Sequence, residues 1–395
     1  MGRGGQGVGV PMDVEVLVVG CGPVGAVLAA RLGALGRSVL VVDREGAPYP
    51  LPRAVAADDE VQHLLELTCP GALDGALTGV QVRFAGADGR LVGGLAFPDG
   101  PSGRPGLALF HQPTLEQRLR ARLTELPQVQ VRLGVGLRSF TQDDQGVAAL
   151  LEDGSSVRAR WLVGCDGASS SVRRRAGIAW KGKDLARPWL VVDTARATPT
   201  VGEPPGPALT YTCDPARPQV DMPTPYGHRW EWLLGRDETR PDEAGRGGSA
   251  PDPLPLLARS VDPASVEVLR AVVYRYGARR AATWQSGRVL LAGDAAHTMP
   301  PFAGQGLGAG VRDAWALASL LAAGDPSRYQ ALRAPHVASM TRLSLLLGAV
   351  VETRSPVAAA VRDRLLRSAF RAPAIGPWLG RGGPRSTASG VLAVG

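Results

Sequence analysis

The 395-residue chain carries 44 Lys plus Arg against 36 Asp plus Glu, a formal net charge of +8, and is long enough for two domains or one large α/β domain with an inserted sheet. Lys181 and Lys183 are its only lysines and asparagine is absent; the basic excess is arginine scattered among acids, which argues against a nucleic-acid surface and leaves a mild attraction for anionic cofactors and substrates. Cys21, Cys69, Cys165 and Cys213 show no metal-ligand spacing, no window holds the roughly 18 uninterrupted apolar residues of a membrane span, and no leader-like succession opens the chain, so the expectation is a soluble cytoplasmic protein with reduced thiols, no metal and no membrane span.

Residues 1–12 are glycine-rich and expected to be disordered. Val14 to Val19 reads as a buried strand, followed by Gly20-Cys21-Gly22-Pro23-Val24-Gly25, an Ala- and Leu-rich helix ending near Gly36, and a second strand, Ser38 to Val42, closing in Asp43-Arg44. This succession of strand, GxGxxG, helix, strand and acid is a dinucleotide-binding βαβ unit. Gly22 lets the backbone approach a pyrophosphate, and Asp43 is placed to accept ribose hydroxyls.

A proline-rich turn, Pro48 to Pro52, leads to Arg53, which faces a ring or phosphate or is an ordinary exposed arginine, and then to a helix starting near Asp58. Residues 80–96 alternate about the turn Gly86 to Gly89 as part of an inserted sheet. Phe110-His111-Gln112 opens a helix from Pro113 to Leu126 with Glu116 in its first turn, and strands follow over 128–133, 136–141, 147–152 and 156–163. Asp166-Gly167 then forms a second strand-end loop before a short helix carrying Arg173 to Arg175. From Trp189 to Tyr276 the texture is short, β-like and rich in Pro, Trp and Tyr, the candidate for a substrate sheet. Within it, alternation puts His228, Trp230 and Trp232 on one face and Arg229 and Glu231 on the other, the Trp-bearing face serving either as core or as pocket wall.

Residues 286–313 organise the rest. Val289 to Leu291 is a short parallel strand ending in Gly293-Asp294, and beyond Pro300 and Pro301 a run of Gly304, Gly306, Gly308 and Gly310 opens a long helix. A glycine-lined helix N-terminus favours a phosphate or a reduced, anionic ring, and the adjacent carboxylate accepts from a sugar hydroxyl. Helices are expected over 311–323, 328–351 and 355–370, with stripes suited to core packing.

The three loops in this order resemble the class A flavoprotein monooxygenases, the para-hydroxybenzoate hydroxylase-like aromatic hydroxylases, and most closely their 3-(3-hydroxyphenyl)propionate hydroxylase branch. The resemblance runs from about residue 13 to about 365 and is carried by PRAVAADDEV (52–61), HQPTLEQRLRARL (111–123), LVGCDGASSSVRR (162–174), RPWLVVDT (187–194), HRWEW (228–232) and GRVLLAGDAAHTMPPFAGQGLGAGVRDA (287–314). It implies an α/β fold: a Rossmann-like FAD-binding domain of the para-hydroxybenzoate hydroxylase type over 13–77, 104–188 and 285–325, and an inserted, mostly antiparallel β-sheet substrate domain over 78–103 and 189–284. C-terminal helices over 326–372 and a flexible tail over 373–395 complete the expected division.

It further implies a noncovalent FAD, with Gly20, Gly22 and Gly25 at the pyrophosphate and Asp43, with Arg44 beside it, at the adenosine ribose. Arg53 and Gln112 would lie near the flavin and its ribityl chain, Gly293 and Asp294 at ribityl or pyrophosphate groups, and Gly304, Gly306 and Leu307 at the pyrimidine edge. Asp166 belongs to a loop such enzymes use for FAD and reduced nicotinamide alike. No second GxGxxG unit is present, in line with transient binding of NADPH or NADH. In the family the reduced flavin adds O2 to form a C4a-hydroperoxide that attacks an aromatic carbon. Pro300 and Pro301 would stand beside it, and His228, Tyr211 and Tyr226 are acid/base candidates between which the sequence does not choose. The expected partners are O2 and a phenolic or polycyclic aromatic molecule, on a monomer or homodimer. Epoxidation, Baeyer–Villiger oxidation and flavin binding without turnover are the competing readings.

Overall fold

Two strands that are apolar and buried on both faces, VEVLVV and VLVVD, demand a sheet covered by helices on each side, and that layer is the base of the molecule. The computed structural model describes residues 13–51, 53–185, 187–195, 206–235, 238, 250–373, 375 and 391. The expectation for 1–12, and that for 373–395 apart from residues 373, 375 and 391, lie outside the described residues.

The opening unit is β1 (Val14–Val19), α1 (Pro23–Ala34) and β2 (Val39–Asp43). β3 (Ala56–Ala57) and α2 (Asp59–Thr68) lead to the hairpin β4 (Gln81–Ala85) and β5 (Leu91–Ala96). β6 (Ala108–Leu109) and α3 (Gln112–Thr124) precede β7 (Val129–Leu133), β8 (Leu137–Gln142), β9 (Val147–Leu151) and β10 (Ser156–Gly164). After α4 (Ser171–Arg175) and β11 (Trp180–Asp184) come β12 (Trp189–Ala195), β13 (Ala208–Thr212), β14 (Gln219–Thr224) and β15 (Gly227–Leu233). The short α5 (Leu254–Leu257) is followed by β16 (Glu267–Tyr274), β17 (Gly277–Ala281), β18 (Gln285–Ser286), β19 (Val289–Leu291) and β20 (His297–Thr298). Three helices, α6 (Gly306–Ala322), α7 (Tyr329–Val351) and α8 (Pro356–Arg371), follow.

The first sheet runs β18-β19-β10-β1-β2-β7, with β9 and β8 continuing from β10. Its central pairings are parallel, and the register sets Val19 of β1 against Gly164 of β10 and Gly164 against Leu291 of β19. Three strands therefore finish side by side. The loops at Gly20, Cys165 and Ala292 leave the sheet together at its carboxyl edge, where open α/β sheets bind ligands.

The second sheet has the order β16-β12-β15-β14-β13-β4-β5 and is antiparallel except where β13 lies parallel to β4. It joins the hairpin from residues 81–96 to strands from 189–274, while β17 leaves this set to pair with β11 and β20. One face packs on Phe302, Leu347 and Val351; the other buries Trp230, Trp232, Leu190 and Val192 against Leu257 of α5.

Helix α6 begins at Gly306, ahead of the expected Val311, because its glycines sit where a helix must approach closely: a Cβ at Gly310 would come 2.5 Å from Val24 of α1. Among the described residues α7 is one helix long and apolar enough to cross a membrane, although the sequence contains no fully uninterrupted apolar window of that length. Here it lies in the fold, with Arg333 wholly buried and with Gly348 set closely against Phe302.

Candidate active site

The dinucleotide loop is built by backbone contact with its neighbour. Gly20 has φ +106°, and a Cβ there would meet Cys165 O at 2.5 Å; a Cβ at Gly25 would meet Gly20 O at 1.9 Å. At Gly22, by contrast, a Cβ would meet nothing within 4 Å, and no side chain caps the N-terminus of α1 that begins beside it. The space beside Gly22 is open and the first turn of α1 carries no side-chain cap, an arrangement that suits a pyrophosphate. Asp43 is already tied to the same loop: its Oδ2 accepts from the Cys21 N–H at 2.6 Å and its Oδ1 from Glu45 N–H at 2.9 Å. Arg44 is exposed and its Nε lies 3.4 Å from Glu45.

Among the described residues, two buried side-chain atoms at this edge lack partners. Arg120 donates from Nε to Cys21 O at 3.2 Å, yet its Nη1 has no acceptor. Asp166 uses Oδ2 to accept from Ser171 N–H (2.6 Å) and Val172 N–H (3.1 Å), capping α4, while its Oδ1 has no donor. Buried polar groups are ordinarily satisfied, so an orphaned cation and an orphaned carboxylate flanking a glycine cradle fit a ligand with phosphates and hydroxyls. FAD is such a ligand.

The third loop is held from beneath by a residue the sequence reading passed over. Asp313 of α6, 0% exposed, accepts from Gly293 N–H (3.2 Å) and from Arg333 Nε (3.0 Å) and lies 2.5 Å from His297 Nε2. Burial pushes its carboxyl up, but His297 and Arg333 together outweigh burial and hold it below the ordinary carboxylate value. Gly293, with φ +59°, is thereby fixed against Val24, which also abuts Gly310. Asp294 is solvent-accessible yet crowded by protein, the state of a side chain in a recess; that crowding raises its pKa, against the pull of His297 and Arg53.

Pro300 is buried and Pro301 exposed, the latter opening a short 3-10 turn that Gly304 closes in the left-handed region with φ +63°. Gln305 Nε2 donates to Asp58 Oδ2 at 3.1 Å, and Arg312 to Asp58 (2.8 Å) and Glu60 (2.5 Å), so α2 anchors the glycine loop. At Gly306 a Cβ would again meet nothing within 4 Å, and Leu307 is half-buried behind it. At the N-terminus of α3, Gln112 Oε1 accepts from the N–H groups of Arg53 (3.1 Å) and Ala54 (2.6 Å) and its Nε2 donates to Glu116 (2.7 Å), leaving the Arg53 guanidinium exposed over the Tyr49 ring.

The candidates on the second sheet separate by face. Tyr211 stacks on Phe84 and donates its hydroxyl to Phe302 O at 2.7 Å, next to Pro300 and Pro301. His228 lies on the other face, its ring 4.3 Å from that of Trp230 and its Nε2 3.6 Å from Asp221. The structure thus does not bring His228 to the three loops, because alternation commits that side of β15 to the Trp core. Tyr226 donates to Asp193 at 3.2 Å, and its hydroxyl is pushed up to about 12, chiefly by burial. Arg229, Asp193, Arg120 and Asp313 are the positioning residues that sequence reasoning left without roles. The alternation in HRWEW and the RDA triplet carried the only hints. A separate cavity of about 280 Å³, lined by His111, Arg118 and Tyr226 among others, includes no residue of the three loops.

Residues 13–325 match the FAD binding domain family. The chain is 36% identical over 390 residues to the 3-(3-hydroxy-phenyl)propionate/3-hydroxycinnamic acid hydroxylase of Mycobacterium sp. (strain JLS), covering 92% of this chain and 65% of that protein. It is also 36% identical over 380 residues to the probable NADH-specific resorcinol 4-hydroxylase of Rhodococcus jostii (strain RHA1), covering 91% and 69%. The chain thus spans about two thirds of the length of the relatives it matches. Among solved structures it is similar to aklavinone-11 hydroxylase in a ternary complex with FAD and aklavinone, with a TM-score of 0.74 and 29% identity over 87% of this chain and 70% of that one. The chain belongs to the FAD binding domain family and has the fold of its class A flavoprotein monooxygenases.

Proposed function

We propose that this protein binds FAD noncovalently and uses reduced nicotinamide and O2 to hydroxylate a phenolic or polycyclic aromatic compound. The observation that carries the reading is the alignment of Val19, Gly164 and Leu291, which delivers three ligand loops to one edge opposite an aromatic sheet face. The relatives' names support the reaction class, and the NADH-specific relative supports a nicotinamide cosubstrate.

FAD, when bound, supplies hydride acceptance and oxygen activation; the chain supplies position and electrostatics. In this reading the Gly22 cradle and the N-terminus of α1 bind the pyrophosphate with Arg120, and the acidic groups Asp43, Asp166 and Asp294 accept hydroxyls. Gln112 fixes the backbone at Arg53 beside the flavin, and the N-terminus of α6 at Gly306 and Leu307 stabilises negative charge on the reduced ring. Pro300, Pro301 and Phe302 exclude water at the ring edge, and Tyr211 holds that turn in place. We assign the protein, with its four free thiols, to the cytoplasm as a monomer or homodimer.

The test is direct. Purified protein loaded with FAD should be reduced faster by NADH or NADPH when a phenol is added, and the product should gain one oxygen by mass. Reduction indifferent to every aromatic compound in a panel of mono- and polycyclic phenols would refute the proposal.

A further inference from the structure

Among the described residues, one carboxylate on the side of the second sheet that meets Arg53 and Phe302 has no hydrogen-bond or ion-pair partner. The register places Glu231 of β15 opposite Val191 of β12 and Val220 of β14, and therefore on the face shared by Arg229, Asp193 and Tyr211. Two contacts fix where that face looks. At one end Arg229 Nη1 donates to Arg53 O at 3.3 Å, and at the other the Tyr211 hydroxyl donates to Phe302 O. Tyr274 of β16 reports the same recess, since Asp294, Glu231 and Arg53 all act on its ionisation.

The surrounding charges are engaged with one another. Asp193, 1% exposed, is met by Arg229 at 2.7 Å, Arg270 at 3.1 Å and the Tyr226 hydroxyl at 3.2 Å. Glu231 is half-buried and, among the described residues, its side chain has no hydrogen bond or ion pair. Its charged neighbours are Arg229 on its own strand, Asp193 on β12, and Arg270 on β16; the facing side chains of β14, Val220 and Met222, are apolar. Burial raises its pKa above the ordinary carboxylate range, with Arg229 pulling it down, Asp193 pushing it up and Arg270 pulling it down. A carboxylate left without a donor in such a place is costly in the free protein and is relieved by a ligand hydroxyl.

We propose that Glu231 is the catalytic base that accepts the hydroxyl proton of the aromatic substrate. The substrate O–H bond breaks, an O–H bond forms on the Glu231 carboxylate, and the electron pair stays on the aromatic oxygen, enriching the ring carbon that receives oxygen. Arg229 and Arg270 offset the negative charge that moves onto the substrate. Tyr274, its own hydroxyl pushed up to about 12 by burial first and Asp294 next, stays neutral at the rim. The inference rests on the hydroxylase reading above.

Two probe pairs test it on FAD-loaded protein: 3-(3-hydroxyphenyl)propionate with 3-phenylpropionate, and 4-nitrophenol with nitrobenzene. Dissociation constants are read from flavin absorbance, and FAD content and melting confirm that each variant is folded. For the pair that binds, wild type should prefer the member with the extra hydroxyl by about tenfold, and Glu231→Ala should bring the two within about twofold. Glu231→Gln retains an acceptor oxygen and should keep much of the preference. It should lose the rise of single-turnover product formation with pH that wild type shows above the ordinary carboxylate range. An unchanged preference in Glu231→Ala, or an unchanged pH rise in Glu231→Gln, overturns the assignment and leaves the hydroxylase reading standing. Failure of every phenol to accelerate flavin reduction in wild type overturns that reading first.

Discussion

Asp313 shows how a single buried side chain can govern a loop it does not belong to. Its two oxygens serve the Gly293 N–H, His297 and Arg333, so Asp313→Asn removes the charge facing a guanidinium that is 0% exposed. The expected loss is about 3 kcal/mol at neutral pH, measured by denaturant unfolding. Because the folded-state pKa of Asp313 is depressed, its contribution is present above the unfolded carboxylate value and is lost as pH falls through the folded one. The wild-type advantage should shrink in acid. Glu231 has the opposite sign. Its folded-state pKa is raised, so wild-type stability falls as pH climbs from the unfolded to the folded value, and Glu231→Gln should gain in melting temperature above that window and match wild type below it. Wild-type stability in Asp313→Asn, or a Glu231→Gln protein that loses ground to wild type on going from acid to neutral pH, would contradict these assignments.

At the scale of elements, close approach decides where glycine is needed. Gly310→Ala puts a methyl 2.5 Å from Val24 across the α1–α6 contact and should cost about 1–3 kcal/mol in unfolding free energy. Trp230→Ala empties the opposite side of the substrate sheet and should cost about 3–5 kcal/mol while leaving the flavin absorbance band unshifted, since Trp230 packs with Leu257 and not with the three loops. The sequence made the first unit legible because GxGxxG, its helix and Asp43 are local, and it made the alternation of HRWEW legible for the same reason. It did not reveal which side of β15 meets the flavin loops, because both sides are buried and the choice is made by distant partners, Arg53 and Phe302 on one side and Leu257 on the other. Nor did it reveal the parallel pairing of β4 with β13, which joins residues 81–85 to 208–212. Asp313, Arg120 and Asp58 were invisible for a related reason: their partners lie far along the chain.

For the molecule as a whole, one cofactor is proposed to span the carboxyl edge from the α1 N-terminus to the α6 N-terminus. Gly22 and Gly306 mark the two ends, and at neither would an added Cβ meet a protein atom within 4 Å. Substitution at either should therefore leave the apo fold within about 0.5 kcal/mol of wild type while filling space the cofactor needs. The deciding measurement is an FAD titration of apo wild type, Gly22→Val and Gly306→Val, followed by flavin fluorescence. One FAD per chain bound by wild type, and affinity at least about tenfold weaker in each variant, is the predicted result. Undiminished FAD affinity in either folded variant would contradict it.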